Sequence, residues 1–340
     1  MRKLLPVVIS SILLSNFLAA EVAANSAPAV QPLAEKAGWE FTLGINLGYS
    51  AGRSQLNTNN DNAVNENLNN NGQAISKPFI FPTARAQYTF TELKTQIFAG
   101  DSREKISTAK FQYELGITHL FNNSSEMTVA YFPQMLSFND AWQDPYLTGS
   151  TRTTTDENAQ GGRFALTRIA GSTITLKYAF AFTAIENEHS GQSLGLNAKQ
   201  LTMLQRDSLY QRAEIETMYS IAPGIFFKPA LQYTTRSADG EAHNFDQYGL
   251  QLSLLVFKGR HSLITTLNTG IKKFAVENPA FNEKQNTVNA GLFSVYSYDQ
   301  ALNWQPLSFN LLAGYTKEDS DINFYDSEGF FTSTGITYQF

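Results

Sequence analysis

From residue 39 to residue 50 the sequence alternates without a break. Trp39, Phe41, Leu43, Ile45, Leu47 and Tyr49 take one set of positions, and Glu40, Thr42, Gly44, Asn46, Gly48 and Ser50 take the other. A period of two is the repeat of a β-strand, whose successive side chains point to opposite faces. A helix would scatter the same residues around its whole circumference. The strand so defined has one apolar face and one polar face, with aromatic rings at both ends of the apolar one.

The alternation returns along the chain. Phe111, Tyr113, Leu115 and Ile117 follow it, as do Ile174, Leu176, Tyr178, Phe180 and Phe182. So do Phe227, Pro229, Leu231 and Tyr233, then Tyr248, Leu250, Leu252, Leu254 and Val256, then Leu307, Phe309, Leu311, Ala313 and Tyr315. Weaker segments lie near 80–90, 94–100, 127–133, 163–169, 209–221, 262–272 and 287–298. With a closing strand at the C-terminus the count comes to about 14, even as a closed single-chain barrel needs. Only 16% of the residues are charged, yet the apolar residues are interleaved with polar ones instead of gathered in long runs. Alternating lipid-facing and lumen-facing side chains produce that pattern. The fold expected is therefore all-β, a transmembrane up-and-down antiparallel β-barrel. A soluble β-sandwich would alternate too, but it would need turns of similar length at both ends.

The connections are unequal. Short turns are expected near 91–93, 122–125, 170–172, 222–224, 258–260 and 299–302. Long polar loops are expected near 52–77, 134–160, 186–207, 238–245, 274–284 and 317–329, with a shorter one near 101–106. Short periplasmic turns and long extracellular loops are the asymmetry of outer-membrane barrels. It orients the first strand upward from the periplasm and returns the last one there. The Asn-rich stretch 57–71 reads as a surface loop.

Both ends of the chain fit an exported barrel. Arg2 and Lys3 precede an apolar run over 4–18 and then small residues, the layout of a cleavable signal peptide. The expected division is a signal peptide over 1–20, a periplasmic leader over 21–38 and a barrel over 39–340. Cleavage falls between Ala20 and Ala27, and a short helix is expected near 33–37. The chain ends on Ile336, Tyr338 and Phe340 on one face of a strand. A terminal Phe closing an amphipathic strand resembles the signal read by the barrel-assembly machinery. The absence of cysteine excludes thiolate metal sites and Cys nucleophiles. A net charge of −5 with no basic stripe argues against nucleic acid as a partner.

Three stretches carry a family resemblance. They are Trp142-Gln143-Asp144-Pro145-Tyr146-Leu147-Thr148-Gly149 with Arg152 and Thr154-Thr155-Asp156-Glu157; Ala238-Asp239-Gly240-Glu241-Ala242 with Phe245-Asp246 and Tyr248-Gly249; and Asp321-Ile322-Asn323-Phe324-Tyr325-Asp326. They resemble the domain of unknown function 2860 family of gammaproteobacterial outer-membrane proteins, across most of the mature chain. The resemblance implies an outer-membrane barrel and brings no substrate. All three stretches fall in or beside expected extracellular loops. There Trp142, Asp144, Tyr146, Arg152, Asp156, Asp239, Glu241 and Asp246 either fold the loops or shape the mouth.

Residues that carry chemistry are few. His119 and His261 fall at periplasmic strand ends, and His189 and His243 in extracellular loops. His243 has Asp239, Glu241 and Asp246 near it in sequence, so an Asp–His pair is conceivable, but no nucleophile motif accompanies it. Glu318, Asp319, Asp321, Asp326 and Glu328 offer hard oxygens without the spacing of a calcium loop. No catalytic site, metal site or cofactor is expected. The polar strand faces say more. Taken as lumen-facing, Arg85, Lys94, Lys110, Arg163, Lys177, Arg212, Lys228, Arg236 and Lys272 outnumber Glu40, Glu114, Glu214 and Glu216. Such charges either pair within the wall or leave a basic surplus that favours anions. The expected function is a passive diffusion or small-solute channel with a weak anion preference. The alternative is a non-conducting barrel that presents loops for binding or adhesion, and a rim enzyme comes third. Expected partners are outer-membrane lipid and lipopolysaccharide, the assembly machinery and an unidentified small solute, with the barrel a monomer.

Overall fold

The computed structural model describes residues 32–101, 113–134 and 140–340. The proposed signal peptide and Lys110 lie outside them. The strands are β1 (Gly38–Arg53), β2 (Ala74–Thr89), β3 (Thr95–Asp101), β4 (Tyr113–Leu120), β5 (Glu126–Phe132), β6 (Thr154–Thr167) and β7 (Ile174–Ile185). Then come β8 (Ser208–Thr217, continued by Tyr219–Ala222), β9 (Ile225–Ala238), β10 (Phe245–Lys258), β11 (His261–Phe274), β12 (Thr287–Tyr298), β13 (Leu307–Ser320) and β14 (Ser327–Gln339). A short strand, Asp140–Trp142, pairs with β6 off the ring. Each strand is antiparallel to its neighbours, and β14 pairs with β1, so the sheet closes into a 14-strand barrel.

The alternation sorts the faces. Trp39, Phe41, Leu43, Ile45, Leu47 and Tyr49 are exposed on the outer surface, while Asn46 and Ser50 between them are buried. The same holds for Leu115 and Ile117, Leu231 and Tyr233, Leu263 and Leu267, and Leu311 and Tyr315. In water such a surface would be untenable; against lipid tails it is the required one. Among the described residues every strand of the ring pairs on both sides, so closure removes the two free end strands that an open sheet would leave in the bilayer. At the short-turn end, ring contacts run along the outer face from Trp304 to Tyr338, Phe340, Phe41, Trp39, Tyr88 and Phe90. Amphipathic rings of this kind sit at the headgroup level.

The short turns use left-handed backbone. Leu93, Ser124, Arg168, Ala170, Gln300, Leu302 and Asn303 all have positive φ, and all lie at this one end. Between β8 and β9 the hairpin is Pro223-Gly224, with φ of 74° at the glycine. A Cβ there would stand 2.3 Å from the Phe257 carbonyl oxygen, so no other residue fits.

Several expectations are corrected. Residues 33–37 form bends, not a helix. The Leu33 amide donates to the Leu93 carbonyl at 3.0 Å, so the segment is held by the first short turn instead of by its own backbone. Lys94 sits in that turn and bonds the Asn122 side chain, away from the lumen wall. Strands run further into the expected loops than the sequence pattern suggested. As a result Asp156 lies in β6 and Asp246 in β10. Antiparallel pairing continues there past the point where apolar residues stop marking it.

Candidate functional site: the lumen wall and the loop cap

Inside the barrel, charged side chains form a band across β2 to β9. The Glu114 carboxylate on β4 accepts from Arg85 on β2 at 3.2 Å and from Arg163 on β6 at 2.9 and 3.0 Å. Lys177 on β7 bridges Glu214 at 3.0 Å and Glu216 at 3.1 Å on β8, and Lys228 on β9 reaches Glu216 at 3.3 Å. Arg212 donates to the Thr234 hydroxyl. Arg236 donates to Ser208 and the Arg206 carbonyl and lies over the Tyr210 ring. Higher up, Lys272 pairs with Glu318 at 2.8 Å.

The pairing is lopsided in exposure. The side chains of Arg85 and Arg163 keep 10% of their surface, against 0% for Glu114. Lys177 keeps 17% against 6% for Glu214, and Lys228 keeps 16% against 10% for Glu216. Each carboxylate lies behind its cations, so the side turned toward the lumen is the positive one. Among the described residues the order is reversed at the long-loop rim, where Glu318 is more exposed than Lys272. Glu40 stands at the periplasmic end, where it accepts from Gln87 and Gln339. The sequence offered Glu318 as one of a group of loop carboxylates and not as a partner of Lys272, because it fell among residues assigned to a loop.

Above the band the extracellular loops fold on one another. Tyr146, Leu204, Ala242, Ile322 and Phe324 form a buried apolar cluster, flanked by Leu68, Leu194, Val276 and Phe281. Six loop segments contribute, including 54–73, 140–153 and 321–326. The Tyr146 and Tyr325 hydroxyls meet at 2.6 Å, and the Asn278 amide donates to both. Their loops, between β5 and β6 and between β13 and β14, rise from nearly opposite places on the ring. The cluster therefore crosses the mouth as a cap.

The distinctive loop residues build this cap. Buried Trp142 donates from Nε1 to the Gln55 carbonyl at 3.0 Å, and the Arg152 guanidinium lies 4.4 Å over its ring. Arg152 also donates to the carbonyls of Gln55, Pro145 and Asn62. Burial pushes this guanidinium down to about 10, against the opposing pull of Asp144, so it is still charged at neutral pH. Asp144 accepts from the amides of Tyr146, Gly191 and Ser193. Arg206, which the sequence did not single out, joins Glu188 to the carbonyls of Trp142 and Gln143.

The remaining candidates do not converge. His243 is buried in the cap beside Arg236 and Arg206, with no partner on Nε2. Burial first, and then the two guanidiniums, hold its pKa well below the ordinary imidazole range. Asp246 faces outward and accepts from the Tyr233 hydroxyl, so it forms no pair with His243. Asp239 and Glu241 lie at the short loop before β10, and Asp156 on the rim of β6. Among the described residues no group of three or more His, Asp or Glu is gathered as a metal ion would need.

A closed barrel with a lipid-compatible outer face and a polar, charged inner face defines a transmembrane β-barrel protein. The chain belongs to the family described as protein of unknown function (DUF2860), whose model matches residues 38–339. No curated protein matches it significantly. Among solved structures, OmpT, an outer membrane protein of Vibrio cholerae, is 10% identical with a TM-score of 0.44, covering 91% of this chain and 100% of that one. The anion-selective porin from Comamonas acidovorans is 10% identical with a TM-score of 0.41, covering 89% and 98%. The CymD monoaromatic hydrocarbon channel is 10% identical with a TM-score of 0.45, covering 90% and 89%. At these values the likenesses say nothing about this chain's solute or selectivity.

Proposed function

We propose that this protein is an outer-membrane channel for small solutes, weakly selective for anions and closed at the mouth by its own loop cap. The observation that carries the reading is the exposure of the lumen ion pairs. Arg85, Arg163, Lys177 and Lys228 face inward with their carboxylate partners covered. A low-dielectric wall focuses the field of such a band on the lumen. Because each cation has a partner, the preference is small, and salt screens it over about 10 Å at 0.1 M.

Planar-bilayer recording tests this. In a salt gradient the reversal potential should indicate anions, more strongly at low ionic strength. Replacing Lys177 and Lys228 together by Gln should move it toward cations. A conducting protein with a clear cation preference, unmoved by that pair of substitutions, would sink the assignment of the band.

The apolar core of the cap favours one other reading, a non-conducting barrel that holds folded loops for binding or adhesion. A correctly folded protein that never conducts would favour it. A rim enzyme has less support, since the charged groups acting on His243 are the guanidiniums of Arg236 and Arg206 and Asp246 bonds Tyr233 instead.

A further inference from the structure

One line of backbone pairing carries apolar side chains around the inside of the barrel. Phe226 pairs with Leu255, Leu255 with Ile264, Ile264 with Val295, and Val295 with Leu312. All five stand on the inward set of positions, alternating with the exposed outward residues of their strands. The line continues through Ser333 and Gly48 to Phe79. The Phe79 ring occupies the space of the missing Gly48 side chain, 2.3 Å from where a Cβ would be, so the glycine lets the line bend inward around β1.

Barrel strands tilt by about 35–45°, so a line drawn across them climbs. Phe226 is the second residue of β9, at the periplasmic end. Phe79 is near the extracellular end of β2. The line is therefore a rising spiral over β9 to β14, β1 and β2, apolar from Phe226 to Leu312 and again at Phe79. Phe226, Val295 and Phe79 are buried, but Leu255, Ile264 and Leu312 are only half-buried. The exposed part of these three is apolar surface turned toward the lumen, where Leu312 also packs against the buried Phe79, Phe293, Val295 and Phe331, and leaving such surface in water is unfavourable unless something covers it. A lysine stands two residues from each end of the line on the same strand, Lys228 beside Phe226 and Lys77 beside Phe79.

We propose that this spiral is a track for amphipathic organic anions, aryl or alkyl carboxylates, that slide with the apolar body on the track and the carboxylate toward the cations. For passage, though not for binding, the inference rests on the channel reading above. The probe is 4-phenylbutyrate, with butyrate as the comparison that keeps the charge and removes the ring. The protein in lipid nanodiscs is titrated calorimetrically with each, against empty nanodiscs. The same pair is then added to bilayers while chloride current is recorded. Phenylbutyrate should bind at least about tenfold more tightly than butyrate, as burial of a ring's apolar area implies, and should reduce the chloride current. Ile264→Asn with Leu312→Asn should erase most of that difference and leave chloride conductance near its starting value. If the Asn pair does not fold, Ile264→Ala with Leu312→Ala should reduce the difference in the same direction. Equal binding of the two carboxylates, or phenylbutyrate binding unmoved by folded variants, would overturn the track. Binding that persists in a protein with no current would uphold the track and overturn the channel reading alone.

Discussion

The last residue of the chain and the first strand of the barrel exchange both of their backbone hydrogen bonds. The Phe41 amide donates to the Phe340 carbonyl at 2.8 Å, and the Phe340 amide donates to the Phe41 carbonyl at 2.9 Å. Their rings stack at 5.5 Å on the outer face. Phe340 thus fastens the seam between the first and last strands. Deleting it removes two bonds worth about 0.5–1.5 kcal/mol each and opens the seam at its short-turn end. Less heat-modifiable, folded barrel should appear in outer membranes by unboiled gel electrophoresis. Phe340→Ala keeps the backbone bonds and should be milder. Normal folding of the deletion variant would show that the seam closes without them.

How far the sequence spoke depends on which atoms do the work. The barrel was legible because alternation is a local property, and strand β1 alone displays it from Trp39 to Tyr49. The charged band was legible as a list, since Arg85, Arg163, Lys177 and Lys228 fall on polar strand positions. Its pairing was not, because Glu114 and Arg163 are distant in sequence and meet only through register. The cap was invisible for the same reason: Tyr146 and Tyr325 lie 179 residues apart. The apolar spiral is a property of neighbouring strands, and alternation within one strand cannot show it. Strand ends at Asp156 and Asp246 were missed because the apolar alternation that marks a strand stops before its backbone pairing does.

The sorting of faces can be checked at one mid-strand step. On β11, Leu267 points outward and is exposed, while Asn268 points inward. Leu267→Arg places a cation against lipid near the middle of the strand and should cost roughly 2–4 kcal/mol. Asn268→Arg, in the polar interior, should cost much less. Folding free energies measured by denaturant titration into lipid vesicles give the comparison. A reversed order would mean that the strand register is off by one residue.

Arg152 holds three backbone carbonyls and a tryptophan ring together, so its loss should act on the cap and not on the barrel. Arg152→Ala leaves the carbonyls of Gln55, Pro145 and Asn62 without that donor. Charge-assisted hydrogen bonds are worth about 1.5–3 kcal/mol each, enough to loosen loop segments 54–73 and 140–153. Limited proteolysis should cut these loops in the variant while the barrel stays heat-modifiable. Unchanged protease resistance would show that the cap's apolar cluster suffices.

Acidification should loosen the cap through His243. Its folded pKa is depressed, first by burial and then by Arg236 and Arg206. In unfolded loops the imidazole titrates near its ordinary value of about 6.5. Above that value both states are neutral and the cap keeps its full stability. As the pH falls below it, the unfolded form binds the proton first, so stability is lost progressively until the folded pKa is passed. Protection of the cap amides, taken relative to their intrinsic exchange rate at each pH, should therefore fall between about pH 7 and about pH 5, and His243→Phe should flatten that dependence. The same loss of protection in the variant would assign the effect to other groups.

The contact between Tyr146 and Tyr325 ties the cap across the mouth, so in the channel proposed above it should set how often the mouth opens, not how much passes when it is open. Tyr325→Phe removes one hydroxyl from the node shared with Asn278. The Asn278 amide keeps Tyr146 as a partner at 3.3 Å, so the cost should be about 1 kcal/mol, or a few-fold in the closed-to-open ratio. Tyr146→Phe should have a similar effect. The two changes together should cost less than their sum, because both remove the same bond. Single-channel recording separates the outcomes. Open probability should rise in each variant, while the current of each open event stays constant because the charged band is untouched. If the open-event current changes instead, the tyrosines belong to the conducting path. If open probability does not move in a folded variant, the Tyr146–Tyr325 contact is not what holds the mouth closed.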